Sequence, residues 1–230
     1  MSRRAVIIVA GGTGTRMKNK LAKQFIPLAG KPIILHTIEA FRQYDPDIEI
    51  VIVLHESLFE EWNALLKTEN YTADLTLVAG GEERFHSVKL GLAALRSNVE
   101  LVAVHDAVRP LVSKSTIQAA FEMAALSGAA IPVVPVTDTI RQNLGNKTKT
   151  IPRHTLSAVQ TPQCFSYTLL RQAYEIPYRA VYTDDASVVE QAGHLISLVP
   201  GNRTNVKITT PEDLYIAEAL LEATKKPKTA

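Results

Sequence analysis

Residues 5–17 read Ala5-Val6-Ile7-Ile8-Val9-Ala10-Gly11-Gly12-Thr13-Gly14-Thr15-Arg16-Met17, an apolar run that passes straight into a glycine-rich turn. Ala5–Ala10 is β-branched and apolar without alternation, the pattern of a strand covered on both faces in a parallel sheet. The same pattern recurs at Ile50–Leu54, Leu75–Ala79, Leu101–Val104 and Ala130–Val136. Between these runs the spacing predicts helices over roughly Pro32–Gln43, Glu56–Thr68, Phe85–Arg96 and Lys114–Leu126. Pro32 suits a first helical turn, where its missing N–H is no loss, and Ser113 suits an N-cap. Val88, Leu90, Leu92, Ala93 and Leu95 mark an apolar stripe on the third helix. Strand–helix alternation of this kind implies an α/β fold: a mostly parallel, twisted sheet with right-handed crossovers and helices on both faces.

Composition sets the outer bounds. The chain has 230 residues, 46% hydrophobic and 21% charged, with no internal repeat or low-complexity stretch. No Gly/Ser- or Pro-rich linker divides it, so one domain over residues 1–230 is expected. The net charge is +2 and like charges do not cluster, which argues against a duplex nucleic acid partner. Cys164 is the single cysteine, so neither an internal disulfide nor a Cys-rich zinc site is expected. No apolar run approaches the roughly 20 residues of a membrane span. Met1-Ser2-Arg3-Arg4 and the six-residue run after it are too short for a signal peptide, so a cytoplasmic location is expected.

The regular pattern stops after Val136. Residues 137–155 hold few large aliphatics, and Gly145-Asn146 separates two strand-like stretches, the signature of a β-hairpin. Such a segment cannot bury itself in a core. From Arg141 to Arg153 it carries four basic residues and no acid, which suits either a surface loop or an arm that approaches something anionic. Beyond it, helices are expected at Tyr167–Glu175 and Asp184–Gln191 and a strand at Leu195–Val199. A further strand is expected through Asn205-Val206-Lys207-Ile208, with a closing helix from Pro211.

Three phosphate-binding loops compete for the glycine turn. A Walker A loop requires Lys-Ser or Lys-Thr after its last glycine, and neither is present. Gly12-Thr13-Gly14 begins a dinucleotide fingerprint, but Met17 stands where its third glycine belongs. A nucleotidyltransferase loop, G-x-G-x-R followed by a lysine, fits Gly12-Thr13-Gly14-Thr15-Arg16 with Lys23-Gln24 downstream. Arg16 and Lys23 taken singly read as solvated cations. Placed after a glycine loop at a strand's C-terminal end, they suit the charge that builds up when an α-phosphate is attacked and pyrophosphate leaves. Asp106 and Arg109 in Val104-His105-Asp106-Ala107-Val108-Arg109-Pro110 end another strand, where a carboxylate can hold Mg²⁺, a hydroxyl or simply cap a turn. Gly80-Gly81-Glu82-Glu83-Arg84-Phe85-His86-Ser87 opens a helix, with amides and a hydroxyl that suit a base edge or a plain turn. The six histidines show no metal-ligand spacing.

Five segments in order, AGGTGTRM with Lys23-Gln24, GGEERFHSV, VHDAVRP, PRHTLSAVQTPQ with TDDAS, and NVKITTPEDL, resemble the 2-C-methyl-D-erythritol 4-phosphate cytidylyltransferases of the non-mevalonate isoprenoid pathway. They extend from Ala10 to Leu214. The resemblance implies a nucleotide-diphospho-sugar transferase type of fold, with a protruding β-arm at about residues 137–155 that interlocks two subunits. It implies catalytic roles for Arg16, Lys23 and Lys207. CTP contacts would come from Ala10, Gly11, Gly12, Gly14, Gly81, Glu82, Ser87 and Asp106. Arg109, Thr139, Arg153 and Thr183 would bind the polyol phosphate, with Thr139 and Arg153 reaching into the partner's site. Asp106 would serve the metal, Mg²⁺ or another divalent cation.

Two positions depart from the family pattern. Ala10-Gly11-Gly12 stands where Ala-Ala-Gly is usual, and Ala22 stands where a proline usually precedes the Lys-Gln pair. The expected activity is the conversion of CTP and 2-C-methyl-D-erythritol 4-phosphate to the CDP-alcohol and pyrophosphate. Alternatives are a ribitol 5-phosphate cytidylyltransferase and a nucleotide-binding regulatory protein without chemistry. The absent third glycine disfavours a nicotinamide-dependent oxidoreductase.

Overall fold

A computed structural model describes residues 3–11 and 21–225. The expected alternation is present: β1 (Arg4–Val9), a small β2–β3 ribbon (Pro27–Leu28, Lys31–Pro32), α1 (Ile33–Tyr44), β4 (Glu49–Leu54), α2 (Phe59–Thr68), β5 (Thr76–Ala79), α3 (Arg84–Ala93), β6 (Leu101–Asp106), α4 (Lys114–Ser127) and β7 (Ala129–Pro135). The arm follows as β8 (Ile140–Leu144) and β9 (Lys147–Ile151). Then come β10 (Ser157–Val159), β11 (Gln163–Ser166), α5 (Tyr167–Ala173), α6 (Asp185–Gln191), β12 (Ser197–Pro200) and α7 (Pro211–Lys225). The described residues form an eight-stranded sheet in the order β10-β7-β11-β6-β1-β4-β5, with β12 beside β7. β6, β1, β4 and β5 run parallel, and β11 enters antiparallel between β6 and β7.

The side-chain period of two explains why helices cover both faces. On β1 and β4, Val6, Ile8, Ile50, Ile52 and Leu54 join one apolar cluster with residues of α1, α2 and α4. Their neighbours Ala5, Ile7, Val51 and Val53 join a second cluster with α3, α5 and α6. Each such aliphatic contributes roughly 1.5–3 kcal/mol by leaving water. A smaller cluster of Ile26, Leu28, Ile33, Val108, Ile208 and Ala217 fastens α7 to the ribbon and to the turn after β6. Ser113 caps α4 as expected, accepting from the Thr116 amide at 3.1 Å.

The expected strand at 205–208 is not one. The segment is irregular, its backbone tied at separate points: Ile208 N–H to the Val108 carbonyl, and the Asn205 carbonyl to the Arg109 guanidinium. Its polar groups pair with loops and leave no ladder to join. β10 and β11 have no counterpart in the sequence reading, being only three and four residues long, too short for a periodicity to show.

The hairpin is where Gly145-Asn146 placed it. β8 and β9 pair only with each other, from Ile140↔Ile151 to Leu144↔Lys147. Gly145 takes φ +64° at the first central turn position, the site that a type II′ hairpin reserves for glycine. Nearly every arm side chain is exposed, and Leu144 at the tip is 52% exposed. A two-stranded ribbon of this kind is marginal in water on its own.

Gly91 sets how closely α3 lies on the sheet. A β-carbon there would stand 2.7 Å from Ile7 Cγ2 and 3.0 Å from Val53 Cγ2, both on stiff, buried β-branched side chains. Gly91→Val should therefore destabilise the protein by about 2–3 kcal/mol through overpacking, despite removing a helical glycine. The expected result is a lower urea midpoint with an unchanged m-value.

Candidate active site

The C-terminal ends of the parallel strands converge where an α/β sheet offers its crevice. Ala10 and Gly11 follow β1, Gly80 and Gly81 follow β5, and Asp106 ends β6. Ala10, Gly11, Gly81 and Asp106 enclose a cavity of about 240 Å³ with Lys23, Gln24, Glu82, Arg84, Ser87 and Lys207. Lys23 arrives on a 3-10 turn, Lys23–Phe25. Gln24 beside it is fully buried and its Nε2 donates to the Ala10 carbonyl at 2.9 Å, which ties the turn to the end of β1. Ala22, the position lacking the usual proline, has φ −59° and ψ 135°. Across the cavity, the Gly81 amide donates to Ser87 Oγ at 3.1 Å.

A second compartment of about 290 Å³ adjoins the first, lined by Arg109, Gln160, Thr161, Gln163, Thr183 and Asp184. Arg84, Asp106 and Lys207 line both. Gln163 builds much of the far wall. Its Nε2 donates to Asp184 Oδ2 at 2.7 Å and its Oε1 accepts from the Ala186 amide at 2.9 Å. Asp184 also caps α6 in a reciprocal box with Ser187, which fixes the loop carrying Thr183.

Charge concentrates on the shared wall. Asp106 Oδ2 accepts from Arg109 Nε and Lys207 Nζ, each at 3.1 Å. Burial pushes the Asp106 carboxyl up, but Lys207, Arg84 and Arg109 together outweigh it and hold the pKa well below the usual carboxylate range. Arg84 makes a bidentate pair with the fully buried Asp185, at 2.9 and 2.7 Å. Burial opposes its charge and Asp185 more than restores it, so Arg84 stays a guanidinium. The Tyr174 hydroxyl donates to Asp185 Oδ1 at 2.6 Å, and burial keeps that hydroxyl protonated.

Of the residues read from sequence, the structure brings Ala10, Gly11, Lys23, Gly81, Glu82, Ser87, Asp106, Arg109, Thr183 and Lys207 around the two joined compartments. Gly12, Gly14 and Arg16 lie outside the described residues. Thr139 and Arg153 line neither compartment of their own chain. Arg153 instead donates to the Thr137 carbonyl at the base of the arm. Gln24, Arg84, Thr161, Gln163 and Asp184 were not singled out. All five lie within the family-like segments, Gln24 in the Lys23-Gln24 pair and Asp184 in TDDAS, and the Asp184-to-Ser187 spacing of a capping box is a readable signal for the loop. Among the described residues no three His, Cys, Asp or Glu side chains cluster as metal ligands. One carboxylate already held by two cations does not make a resident cage. It would suit a hard divalent cation only as one ligand among several supplied from elsewhere.

His105 is wholly buried beside this wall, its Nε2 3.1 Å from the Arg109 carbonyl and its Nδ1 3.0 Å from Thr161 Oγ1. Burial lowers its pKa from 6.5 to about 4 against the pull of Asp106, with Arg109 and Lys207 adding to the fall. The unfolded chain therefore takes up the proton first as the pH drops. The contribution of neutral His105 is intact above pH 6.5 and is lost as the pH falls towards 4, about 3 kcal/mol over the whole window. Urea unfolding at stepped pH should show this loss in the wild type and a shallower slope in His105→Gln. Equal slopes would show that His105 is not the group responsible.

Comparison with known proteins agrees with this geometry. The family model for 2-C-methyl-D-erythritol 4-phosphate cytidylyltransferase matches residues 4–223. An enzyme of that description from Phocaeicola vulgatus is 47% identical over 218 residues, covering 95% of this chain and 99% of its own. One from Bacillus licheniformis is 42% identical over 224 residues, covering 96% of each chain. The crystal structure of 4-diphosphocytidyl-2C-methyl-D-erythritol synthase from Anaerococcus prevotii superposes with a TM-score of 0.82 at 28% identity, over 96% of both chains. The Francisella tularensis 2-C-methyl-D-erythritol 4-phosphate cytidylyltransferase gives 0.79 at 32% identity, over 95% of this chain and 99% of its own. The fold, the joined compartments and these likenesses lead to one conclusion: the chain belongs to the 2-C-methyl-D-erythritol 4-phosphate cytidylyltransferase family.

Proposed function

We propose that this chain, acting as one catalytic domain with a β-arm, transfers the cytidylyl group of CTP to 2-C-methyl-D-erythritol 4-phosphate and releases pyrophosphate. The observation that carries the reading is the shared wall: Arg84, Asp106 and Lys207 face both compartments, so two phosphorylated substrates meet over one set of charges. CTP occupies the compartment between β1 and α3. Ala10, Gly11, Gly12 and Gly14 supply backbone to the phosphates, while Gly81, Glu82 and Ser87 read the cytosine edge. The polyol phosphate occupies the neighbouring compartment against Arg109 and Thr183.

A phosphate oxygen of the polyol substrate attacks the α-phosphorus in line, and the bond to the β-phosphate oxygen breaks as pyrophosphate leaves. The attacking oxygen is already ionised, so no protein nucleophile or general base is required. Arg16, Lys23 and Lys207 stabilise charge on the equatorial and leaving oxygens, which grows in the transition state. Lys207 is the cation that Asp106 holds on the shared wall, at 3.1 Å, in the absence of substrates. Asp106 would hold Mg²⁺ or a similar cation brought with the triphosphate, whose chemistry there would be to offset phosphate charge. No helix of the described residues is long and apolar enough to cross a membrane. A cytoplasmic location, where CTP is made and used, belongs to the same reading.

Pyrophosphate release, measured with each of four nucleoside triphosphates and with 2-C-methyl-D-erythritol 4-phosphate or ribitol 5-phosphate, tests this reading. CTP with the methylerythritol phosphate should give the highest kcat/KM, because a hydrogen-bonded base pocket leaves its own polar groups unpaired against a wrong base. Equal turnover with UTP removes the cytosine assignment, and preference for ribitol phosphate moves the chain to the neighbouring activity.

The arm belongs to the same reading. Its exposed, self-paired strands gain stability most readily from a second subunit, and a two-fold dimer exchanges two arms symmetrically. Thr139 and Arg153 then reach the polyol phosphate of the partner's site, where the planar guanidinium suits a phosphate. Arg153→Ala should raise KM for the polyol phosphate far more than for CTP. Mixed with Lys23→Ala under conditions of proven subunit exchange, it should recover activity above either variant alone. Each heterodimer then has one site with both defects and one with neither. Absence of recovery assigns the arm to its own subunit.

A further inference from the structure

His105 lines neither compartment, yet two hydrogen bonds tie it to Arg109 and Thr161, which both line the second compartment beside the shared wall. It precedes Asp106 at the end of β6, and its ring meets Phe41 edge-on with centroids 5.0 Å apart. We propose that His105 is a positioning residue for the transfer reaction, holding the turn from Asp106 to Arg109 in shape from the inside. The proposal rests on the cytidylyl-transfer reading for its kinetic consequence and on geometry alone for the hydrogen-bond chain.

The turn needs such a support because the sheet ends beneath it. β11 pairs with β6 only as far as Gln163↔Val104, and the Thr161 carbonyl, the next acceptor along β11, is taken by Asn205 Nδ2 at 2.8 Å. The Asp106 amide would be left buried and unpaired. Thr161 Oγ1 accepts from it at 3.1 Å. That same hydroxyl meets His105 Nδ1 at 3.0 Å, and His105 Nε2 meets the Arg109 carbonyl at 3.1 Å. A carbonyl can only accept, so the ring's proton is on Nε2. Nδ1 of the neutral ring then accepts from the Thr161 O–H, which leaves the hydroxyl's lone pair for the Asp106 amide. Every group in the chain has one possible role, and the tautomer follows from it.

The chain also reaches the segment that carries Lys207. Asn205 Nδ2 donates to the Thr161 carbonyl at 2.8 Å, and Arg109 Nη1 donates to the Asn205 carbonyl at 2.9 Å. His105 thus sits at the centre of a closed polar circuit through the backbones of Asp106, Arg109 and Asn205. Loosening it shifts a carboxylate and two cations together, and small misplacements of such groups cost up to about 10²-fold in rate.

The test compares His105→Phe, which keeps a ring against Phe41 and loses both bonds, with His105→Gln, whose amide can still donate to the Arg109 carbonyl. Kinetics are run with whichever nucleotide and polyol phosphate the wild type turns over, at a temperature where circular dichroism shows all three proteins folded. His105→Phe should lose about 10- to 100-fold in kcat/KM. The loss should fall on kcat and on KM for the polyol phosphate more than on KM for CTP, which the glycine turn and the Gly81–Ser87 segment also hold. His105→Gln should recover most of it. Wild-type kcat/KM in His105→Phe, or an equal loss in both variants, overturns the proposal. The imidazole ¹⁵N spectrum of the substrate-free wild type decides independently of folding defects and of substrate identity. It should show the Nε2–H tautomer with Nδ1 accepting, and the Nδ1–H tautomer overturns the proposal.

Discussion

At the end of β6 a single oxygen, Asp106 Oδ2, accepts from Arg109 and from Lys207 at equal distances, 8% exposed at the residue and flanked by Arg84. An ionised carboxylate so deeply set is costly unless it is paired, and here the pairing is in excess. The excess is functional in kind. A site that must receive two phosphorylated molecules needs net positive charge, and loose cations would repel one another or swing into solvent. One buried anion shared by cations from two separate loops gathers them at a fixed place while leaving positive charge to spare.

The rest of the fold presents that oxygen. β6 lies in the interior of the sheet between β1 and β11, so its end cannot fray into solvent. The alternating side chains of β1 and β4 lock helices onto both faces, which leaves the strand ends as the free rim. Loops reach the rim from far along the chain: Lys23 after β1, Arg84 at the start of α3, Thr161 before β11 and Lys207 before α7. The irregular segment at 205–208 is fastened by hydrogen bonds from Arg109 and to Val108, so its geometry depends on the turn it serves.

What was legible in the sequence divides along physical lines. β1, β4 and α4 could be read because burial on both faces or a capping serine leaves a local signature, in Val6–Val9, Ile50–Leu54 and Ser113. The hairpin could be read because only a few turn types accept Gly145-Asn146. β10 and β11 could not, because strands of three or four residues are made by their neighbours and not by their own pattern. The segment around Lys207 resembled a strand because Val206 and Ile208 alternate with polar residues. Their alternation serves separate anchors, with Ile208 packed beside Val108 and Ala217. Arg84 and Asp185 are 101 residues apart, and nothing local in either foretells the other. The candidate site was reached chiefly through motifs, and its hydrogen-bond circuit only through three dimensions.

Ala22 keeps the backbone angle that a proline ring would impose, φ −59°, without having the ring. The closed geometry before Lys23 is therefore unchanged by the missing ring, and the difference resides in every other conformation the segment can visit. A ring at this position would remove many of those conformations beforehand, an effect on the order of 0.4–1 kcal/mol. In this chain the Gln24 amide on the Ala10 carbonyl holds the turn without the ring's help. The contribution that the ring would make is one of chain entropy, so the stabilisation forgone here grows in proportion to absolute temperature.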